Sequence, residues 1–490
     1  MNLERRFNDA RAKLQAAGQI HLFEGFEKLD EHAASRLLSE IESINWDQLT
    51  ELIESHVKQK PDGALPGHLE PAPWYPHHPT PDLAARYKRA RVLGEQLVRG
   101  GKVAAFTVAG GQGTRLGWDG PKGTYGATPI RGLPLFAFLA EFILKTQEKY
   151  GTPVPWYLMT SPANDAATRA FFEDHDYFGL DRGNVMLFPQ AMMPAIDLAT
   201  GKVLLAAPGR LSLSPDGHGG SLKALHASGA IADMQERGIE QISYTQIDNP
   251  LVRVVDPLFI GLHALDGAQM SSKMLTKANA HERVGNFCQV DGKVIVVEYS
   301  DLPYDLTEQR DESGALRFRA GSTAIHLIRV DFVASLNRSA GGFALPFHRA
   351  EKTVAHLDPR TAKLVDPDRP NAVKLEMFVF DALPLCDVSI VYETDRTEEF
   401  APIKNFDDPD PARCIDSPTT SQRLQIERAA RWLESRGVKV PRDPDGRVDA
   451  VLEISQRAAI EPADLDGLDL PTQVDPGARF LLEPSTFQHS

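Results

Sequence analysis

Between residues 3 and about 58 the apolar positions Leu14, Leu22, Phe26, Leu29, Leu37, Leu38, Ile41 and Ile44 recur at spacings of three, four, seven and eight. That is the period of one helix face, and it predicts a helical N-terminal region. From Pro61 to Pro81 prolines interrupt the chain around Trp74 and Tyr75. Their fixed φ and missing N–H groups exclude a continuous helix or a central strand, so an extended connector is expected. His77 and His78 lie in it without further ligands nearby in sequence and read as a solvated pair.

Beyond residue 100 the period changes. Val103–Val108 and residues 154–159, 185–188 and 241–247 are apolar runs of strand length, while Asp165–Asp174 and residues 221–237 carry helical spacing. This alternation predicts an α/β fold, a mostly parallel sheet covered by helices on both faces, with ligands collecting beyond the carboxyl ends of the strands. Asp291-Gly292 between residues 284–290 and 293–299 predicts an antiparallel hairpin grafted on that sheet. After about residue 410 come Asp/Pro turns, an amphipathic helix near residues 421–436 and short apolar runs that carry no recognisable chemistry. The expected division is a helical region with its connector over residues 1–95, a catalytic domain over 96–409 and a small C-terminal domain over 410–490.

Composition narrows the function. A chain of 490 residues that is 42% apolar and 24% charged is an ordinary globular protein of two or three domains. With 53 basic against 67 acidic residues the net charge is −14, which argues against a nucleic-acid binder and confines any phosphate binding to a local site. Cys288, Cys386 and Cys414 are widely spaced, with no Cys-x-x-Cys pair, and read as small buried hydrophobes in a reducing compartment. Neither an apolar signal core nor a run of membrane-spanning length appears, so a cytoplasmic chain with no membrane partner is expected.

The densest chemistry follows the first strand. Val108-Ala109-Gly110-Gly111-Gln112-Gly113-Thr114-Arg115-Leu116-Gly117, then Pro121-Lys122-Gly123, puts a glycine loop, an arginine and a lysine at a strand end. Glycines let consecutive N–H groups turn toward one anion, and Arg115 and Lys122 add full charges. No lysine follows a glycine with a hydroxyl after it, so a Walker A loop is excluded. In the dinucleotide fingerprint counted from Gly111 and Gly113, Leu116 occupies the third glycine position. A glycine-rich turn with surface charges is the remaining plain alternative. A second polar tip, Tyr244-Thr245-Gln246-Ile247-Asp248-Asn249-Pro250, ends the 241–247 strand. Its carboxylate suits a hard divalent cation, although from the residues alone an Asx turn before Pro250 is the stronger reading.

Gly110 to Gly117 with Pro121-Lys122 resembles the nucleotide-binding signature of the eukaryotic-type UDP-sugar pyrophosphorylases (UDPGP type 1), most closely the N-acetylglucosamine enzymes among them. The likeness runs from about residue 10, including Ala17-Gly18-Gln19, into the C-terminal region. It implies a Rossmann-like, GT-A-like nucleotidyltransferase fold with a mixed sheet, and a uridylyl transfer from UTP to a sugar 1-phosphate with release of pyrophosphate. It implies nucleotide contacts at Gly110, Gly111, Gly113, Thr114, Gln190 and Gly220, a magnesium ion on Asp248, and catalytic cations at Arg115, Lys122, Lys374 and Lys404. Sugar contacts are implied at His218, Asn249, Glu298, Tyr299 and Phe380. Residues 374–381 resemble a helix whose lysine reaches phosphate, and residues 399–405 supply the other lysine.

Without the resemblance, Gln190 is a satisfied loop glutamine, 214–221 a glycine-rich turn, Glu298 a strand-end charge, and Lys374 and Lys404 solvated surface lysines. Two positions depart from the N-acetylglucosamine pattern: His218 and Ile325 each stand where those enzymes usually have Asn, and His218 is reminiscent of the glucose-specific relatives. The expected substrates are therefore UTP and a hexose 1-phosphate, N-acetylglucosamine 1-phosphate first and glucose 1-phosphate as the alternative. A nucleotide-sugar-binding regulator that has lost turnover is the alternative from another class.

Overall fold

The computed structural model describes residues 3–60, 67–338, 343–358, 361–410 and 413–484. Two compact units divide the chain, one made of residues 1–65, 190–222 and 345–381, the other of residues 66–189, 223–344 and 382–490. This differs from the expected division in chain order. The N-terminal helices do not close a core of their own, and the C-terminal segment falls in the unit that holds the central sheet.

In the first unit, helices Leu3–Ala16, Glu31–Glu42 and Trp46–Leu52 carry the predicted apolar stripe. Its members Leu14, Leu37, Leu38 and Ile41 pack with Ile196, Leu205, Leu211, Val373 and Leu375 from strands far along the chain. Those strands form small sheets, 363–365 beside 356–358, 205–207 and 210–211, and 348–352 beside 372–376 and 196–197. Gln19, in the Ala17-Gly18-Gln19 motif, is 3% exposed. Its amide donates to the Gly201 carbonyl at 3.0 Å and its oxygen accepts from Val203 N at 3.0 Å, so this motif anchors the strand connection.

The second unit is built on a ten-stranded mixed sheet. Strands Gln241–Gln246, Val103–Val108, Trp156–Thr160 and Val185–Pro189 lie side by side and parallel, as the alternation predicts. Ala320–Arg329 pairs antiparallel with Gln241–Gln246, and Met270–Thr276 continues the sheet through Ala320–Arg329 to Ser389–Glu393. The predicted hairpin is present as Asn286–Val290 and Lys293–Val297. Asp291 and Gly292 turn at φ of 48° and 77°, the doubly positive geometry of a tight hairpin. Residues 221–237 form two helices, Gly220–Ala227 and Ala230–Glu236, because Gly229 adopts φ 83° and breaks the helical run. The C-terminal segment has a satellite core around Trp432, Leu433, Leu452 and Leu465.

The three cysteines are free, with Cys288 and Cys386 buried. Among the described residues no helix is long and apolar enough to cross a membrane.

Helices Ala84–Arg99 and Pro257–Leu265 cross where both lack side chains. A Cβ on Gly94 would stand 1.7 Å from the Pro257 carbonyl oxygen, and one on Gly261 would stand 1.7 Å from that of Ala90. Backbone cannot yield there as a flexible side chain would. Gly94→Ala is expected to destabilise the protein by about 3 kcal/mol, the upper range of overpacking. Denaturant titration measures it, and a loss below about 1 kcal/mol would show that the two helices separate readily.

Candidate active site

In the sheet-bearing unit the site begins with strand register. Gln246 sits opposite Val108 in the parallel pair, and Ile247 N donates to the Val108 carbonyl at 3.1 Å. The glycine loop and the Asp248 tip therefore leave the sheet at the same end. Lys122 Nζ lies 3.5 Å from Asp248 Oδ2, both side chains being largely buried.

Internal hydrogen bonds shape the loop between them. Gly113 N donates to Gly120 O at 2.9 Å, Lys122 N to Gly111 O at 3.1 Å and Trp118 N to Gly113 O at 3.1 Å. A Cβ on Gly113 would meet the Trp118 side chain at 2.7 Å, and Gly117 adopts φ 68°. Gly110, Gly111 and Gln112 keep consecutive amides without a protein acceptor among the described residues, donors suited to an anion. Thr114 and Arg115 are exposed at the head of this loop.

Sequence reasoning missed one residue here. Asn164 is fully buried, and its amide donates to the carbonyls of Ala109 and Gly111 at 3.0 and 3.2 Å while its oxygen accepts from Ser161 N at 2.8 Å. It precedes helix Asp165–Asp174, where Asn reads as an ordinary N-cap, but it makes no cap bond and holds the strand-to-loop junction instead. Only the end of the neighbouring apolar strand could have pointed to it.

Asn249, assigned to the sugar through the resemblance, is 5% exposed. Its Nδ2 donates to the Glu399 carbonyl at 2.6 Å, and its Oδ1 accepts from Ala401 N at 3.0 Å and Leu251 N at 3.2 Å. Here the amide fastens the 399–404 segment to the Asp248 turn. Ile403 N also donates to Asp248 O at 2.8 Å. Lys404 stands next in this segment, with Nζ 3.6 Å from Asp416 and 5.7 Å from the Phe400 ring centre. Glu298 follows the hairpin strand Lys293–Val297, and its carbonyl receives Asp301 N and Leu302 N, while Tyr299 is 48% exposed.

The other unit holds Gln190, His218, Gly220, Lys374 and Phe380. Gln190 is buried. The turn before helix Gly220–Ala227 lies against main chain: a Cβ on Gly217 would meet Met377 O at 2.3 Å, and one on Gly219 would meet Met377 and Phe378 backbone at 2.7 Å. His218 stacks on Phe378 at 5.3 Å and lies 5.6 Å from Phe380. Its Nδ1 accepts from Val379 N at 3.1 Å, which assigns the proton of the neutral ring to Nε2. Lys374 requires a correction. It lies on strand Ala372–Glu376, opposite Ala350, where the resemblance implied a helix. The β-branched and apolar alternation of Ala372-Val373-Lys374-Leu375 fits a strand buried on one face, and helical turns begin only at Val379.

No group of three or more His, Cys, Asp or Glu side chains that could hold a metal occurs among the described residues. Asp248 instead stands beside a lysine, Lys122, outside any such cluster among the described residues. That arrangement suits a magnesium ion that takes one or two protein carboxylates and fills its shell with substrate phosphate and water, rather than an all-protein cage.

The mixed sheet with a glycine loop and a carboxylate beyond parallel strand ends defines a nucleotidyltransferase-like α/β protein. Residues 32–436 match the family model described as UTP–glucose-1-phosphate uridylyltransferase. Mouse UDP-N-acetylhexosamine pyrophosphorylase-like protein 1 is 36% identical over 91% of this chain and 92% of its own. The UDP-N-acetylglucosamine pyrophosphorylase of Saccharomyces cerevisiae is 35% identical over 86% and 90%. The crystal structure of the Trypanosoma brucei UDP-N-acetylglucosamine pyrophosphorylase in complex with inhibitor superposes with a TM-score of 0.82 at 25% identity, covering 99% of each chain. The chain belongs to the UDP-sugar pyrophosphorylase family.

Burial, and then the neighbouring His348, push the His218 pKa down to about 4. Unfolded histidine takes its proton near pH 6.5, so the unfolded chain binds more protons between pH 6.5 and about 4. This group's contribution to stability is therefore complete above pH 6.5 and is lost as pH falls through that window. Thermal melts at pH 7 and pH 5 are expected to show a larger drop for the wild type than for His218→Asn. Equal drops would disprove the burial assignment.

Proposed function

We propose that this chain is a UTP-dependent sugar 1-phosphate uridylyltransferase, forming UDP-N-acetylglucosamine and pyrophosphate from UTP and N-acetylglucosamine 1-phosphate. The observation that carries the reading is the Lys122–Asp248 pair, 3.5 Å apart, together with the amides of Gly110, Gly111 and Gln112, which have no protein acceptor among the described residues.

In the proposed reaction a phosphate oxygen of the sugar 1-phosphate attacks the α-phosphorus of UTP in line. The new P–O bond forms as the bond to the β-phosphate oxygen breaks, and pyrophosphate leaves with that electron pair. The nucleophile is already an anion, so no general base is needed. The work is charge neutralisation and alignment. The loop amides and Arg115 stabilise the leaving pyrophosphate, while Lys122 and Lys404 balance the other phosphate oxygens; Lys374 keeps the phosphate role that the family likeness gives it. Asp248 would hold a magnesium ion, which would supply further charge neutralisation. Gln190 and Gly220 keep the nucleotide contacts, and His218, Glu298, Tyr299 and Phe380 the sugar contacts, that the family likeness gives them.

Glucose 1-phosphate is the second reading. It is favoured by the imidazole at position 218 and by Ile325, which is 3% exposed and packs in the main core.

Pyrophosphate release measured with glucose, galactose, N-acetylglucosamine and N-acetylgalactosamine 1-phosphates tests both readings, with the highest kcat/KM expected for N-acetylglucosamine 1-phosphate. A preference for glucose 1-phosphate would select the second reading, and UTP binding without release under any sugar would point to a regulator. Lys122→Ala and Asp248→Ala are each expected to lower kcat by about 10²–10³-fold with the fold intact. Near-normal turnover in either variant would remove that residue from the mechanism.

A further inference from the structure

Helix Pro418–Glu434 begins at a capping box on Ser417 with proline at its first turn. Its buried face is unusual because much of it is polar. Ser421, Gln425 and Arg428 are 1%, 7% and 8% exposed and, with Trp432, recur at helical spacing. Buried polar groups are costly unless bonded, so the destination of each bond is informative.

Each of these three side chains reaches a main-chain carbonyl in a different segment. Ser421 Oγ donates to Ala401 O at 2.7 Å, three residues before Lys404. Gln425 Nε2 donates to Ala127 O at 3.1 Å, five residues after Lys122. Arg428 donates to Leu251 O at 3.1 Å, three residues after Asp248, and to Glu398 O at 3.2 Å. Trp432 completes the set through its indole N–H to Glu398 Oε2 at 2.9 Å, with the Arg428 guanidinium 5.1 Å from its ring centre. The strand that follows adds a second grip on the Lys122 side. Glu453, 4% exposed, accepts from Ile130 N at 2.8 Å, Arg131 N at 2.9 Å and Arg131 Nε at 2.6 Å.

We propose that this polar helix face is the positioning element of the reaction centre, Gln425 fixing the loop behind Lys122 and Arg428 the turn behind Asp248, an inference that rests on the uridylyltransferase reading. None of these side chains needs to touch substrate. Carbonyls held by rigid buried donors fix the backbone on which the lysine and the carboxylate stand, and misplacement of such groups by an ångström is enough to cost turnover. Burial lowers the Arg428 pKa to about 10, still leaving it charged near neutral pH.

The test uses the full chain with Gln425→Met, Ser421→Ala, Arg428→Met and Arg428→Lys. Arg442→Ala serves as the control, since Arg442 joins Glu427 and Glu434 on the surface of the same segment. Gln425→Met is expected to lower kcat about tenfold with KM for UTP changed less than threefold. Arg428→Met should behave likewise, with Arg428→Lys recovering part of the rate. Amide hydrogen exchange should rise around residues 122–131 in Gln425→Met and around residues 248–253 in Arg428→Met, while Arg442→Ala changes neither exchange pattern nor kinetics. Variants that lose thermal stability but keep wild-type kcat and local exchange would overturn the proposal. Should Arg428→Met not fold, Gln425→Met and Ser421→Ala decide by the same readouts. A wild type that releases no pyrophosphate fails the uridylyltransferase reading, and the exchange pattern still decides whether the helix face holds these two segments.

Discussion

The parallel register of Val103–Val108 against Gln241–Gln246 is the constraint on which the reaction centre depends. It brings two strand ends, separated by more than a hundred residues of sequence, to the same end of the sheet. Buried hydroxyls mark that register: Thr107 and Thr245 face each other at 3.2 Å, and the Trp156 indole donates to Thr107 at 2.9 Å. A slip of one residue would reverse the facing of every side chain in the strand and leave these hydroxyls unpaired in an apolar interior. The 3.5 Å approach of Lys122 to Asp248 is thus a consequence of strand pairing before it is a matter of side-chain chemistry.

Buried charge then fixes what stands behind the turn. Lys273 is 1% exposed, and its ammonium donates to Asp256 at 2.6 Å and to both Glu399 oxygens at 2.7 Å. Burial alone would raise the Asp256 pKa, but Lys273 and Arg253 outweigh it and hold the carboxyl below its ordinary range. Asp256 also caps helix Pro257–Leu265, and the Glu399 carbonyl receives the Asn249 amide. Such a cluster gains little net stability over an apolar one of equal volume. Removing one member strands the others, so its geometry is sharply specified. That specificity is handed from Glu399 through Asn249 to the Asp248 turn and onward to Lys404.

Much of this was legible because it rests on local pattern. The Val103–Val108 run, helix Asp165–Asp174 and the Asp291-Gly292 hairpin each follow from spacing or turn chemistry within ten or so residues. What escaped depends on distant partners. Asn164 resembles a cap until its carbonyl acceptors at Ala109 and Gly111 are known. Lys374 falls on a strand because His348–Lys352 pairs with it, and the N-terminal helices share a core with Ile196 and Val373, pairings that periodicity does not encode. Gln425 and Arg428 sit in an amphipathic helix whose polar side chains would ordinarily face water; here some of them face inward, toward carbonyls supplied from elsewhere in the chain.

The two departures from the amino-sugar pattern act at different levels. Ala324 adopts φ 55°, and the pairing with Met270–Thr276 shifts between Ser272 and Met274, so the strand is kinked just before Ile325. Ile325 beyond the kink belongs to the apolar core. An asparagine with the same orientation would bury an amide among hydrocarbons at a cost of about 1–3 kcal/mol, so the residue at 325 answers first to packing. His218 is different in kind. An asparagine amide offers both a donor and an acceptor, whereas this imidazole has already committed Nδ1 to Val379 N and carries its proton on Nε2. It keeps the donor half of the amide's function. The change at 218 therefore alters hydrogen-bonding capacity, whereas the change at 325 answers to the packing of the core.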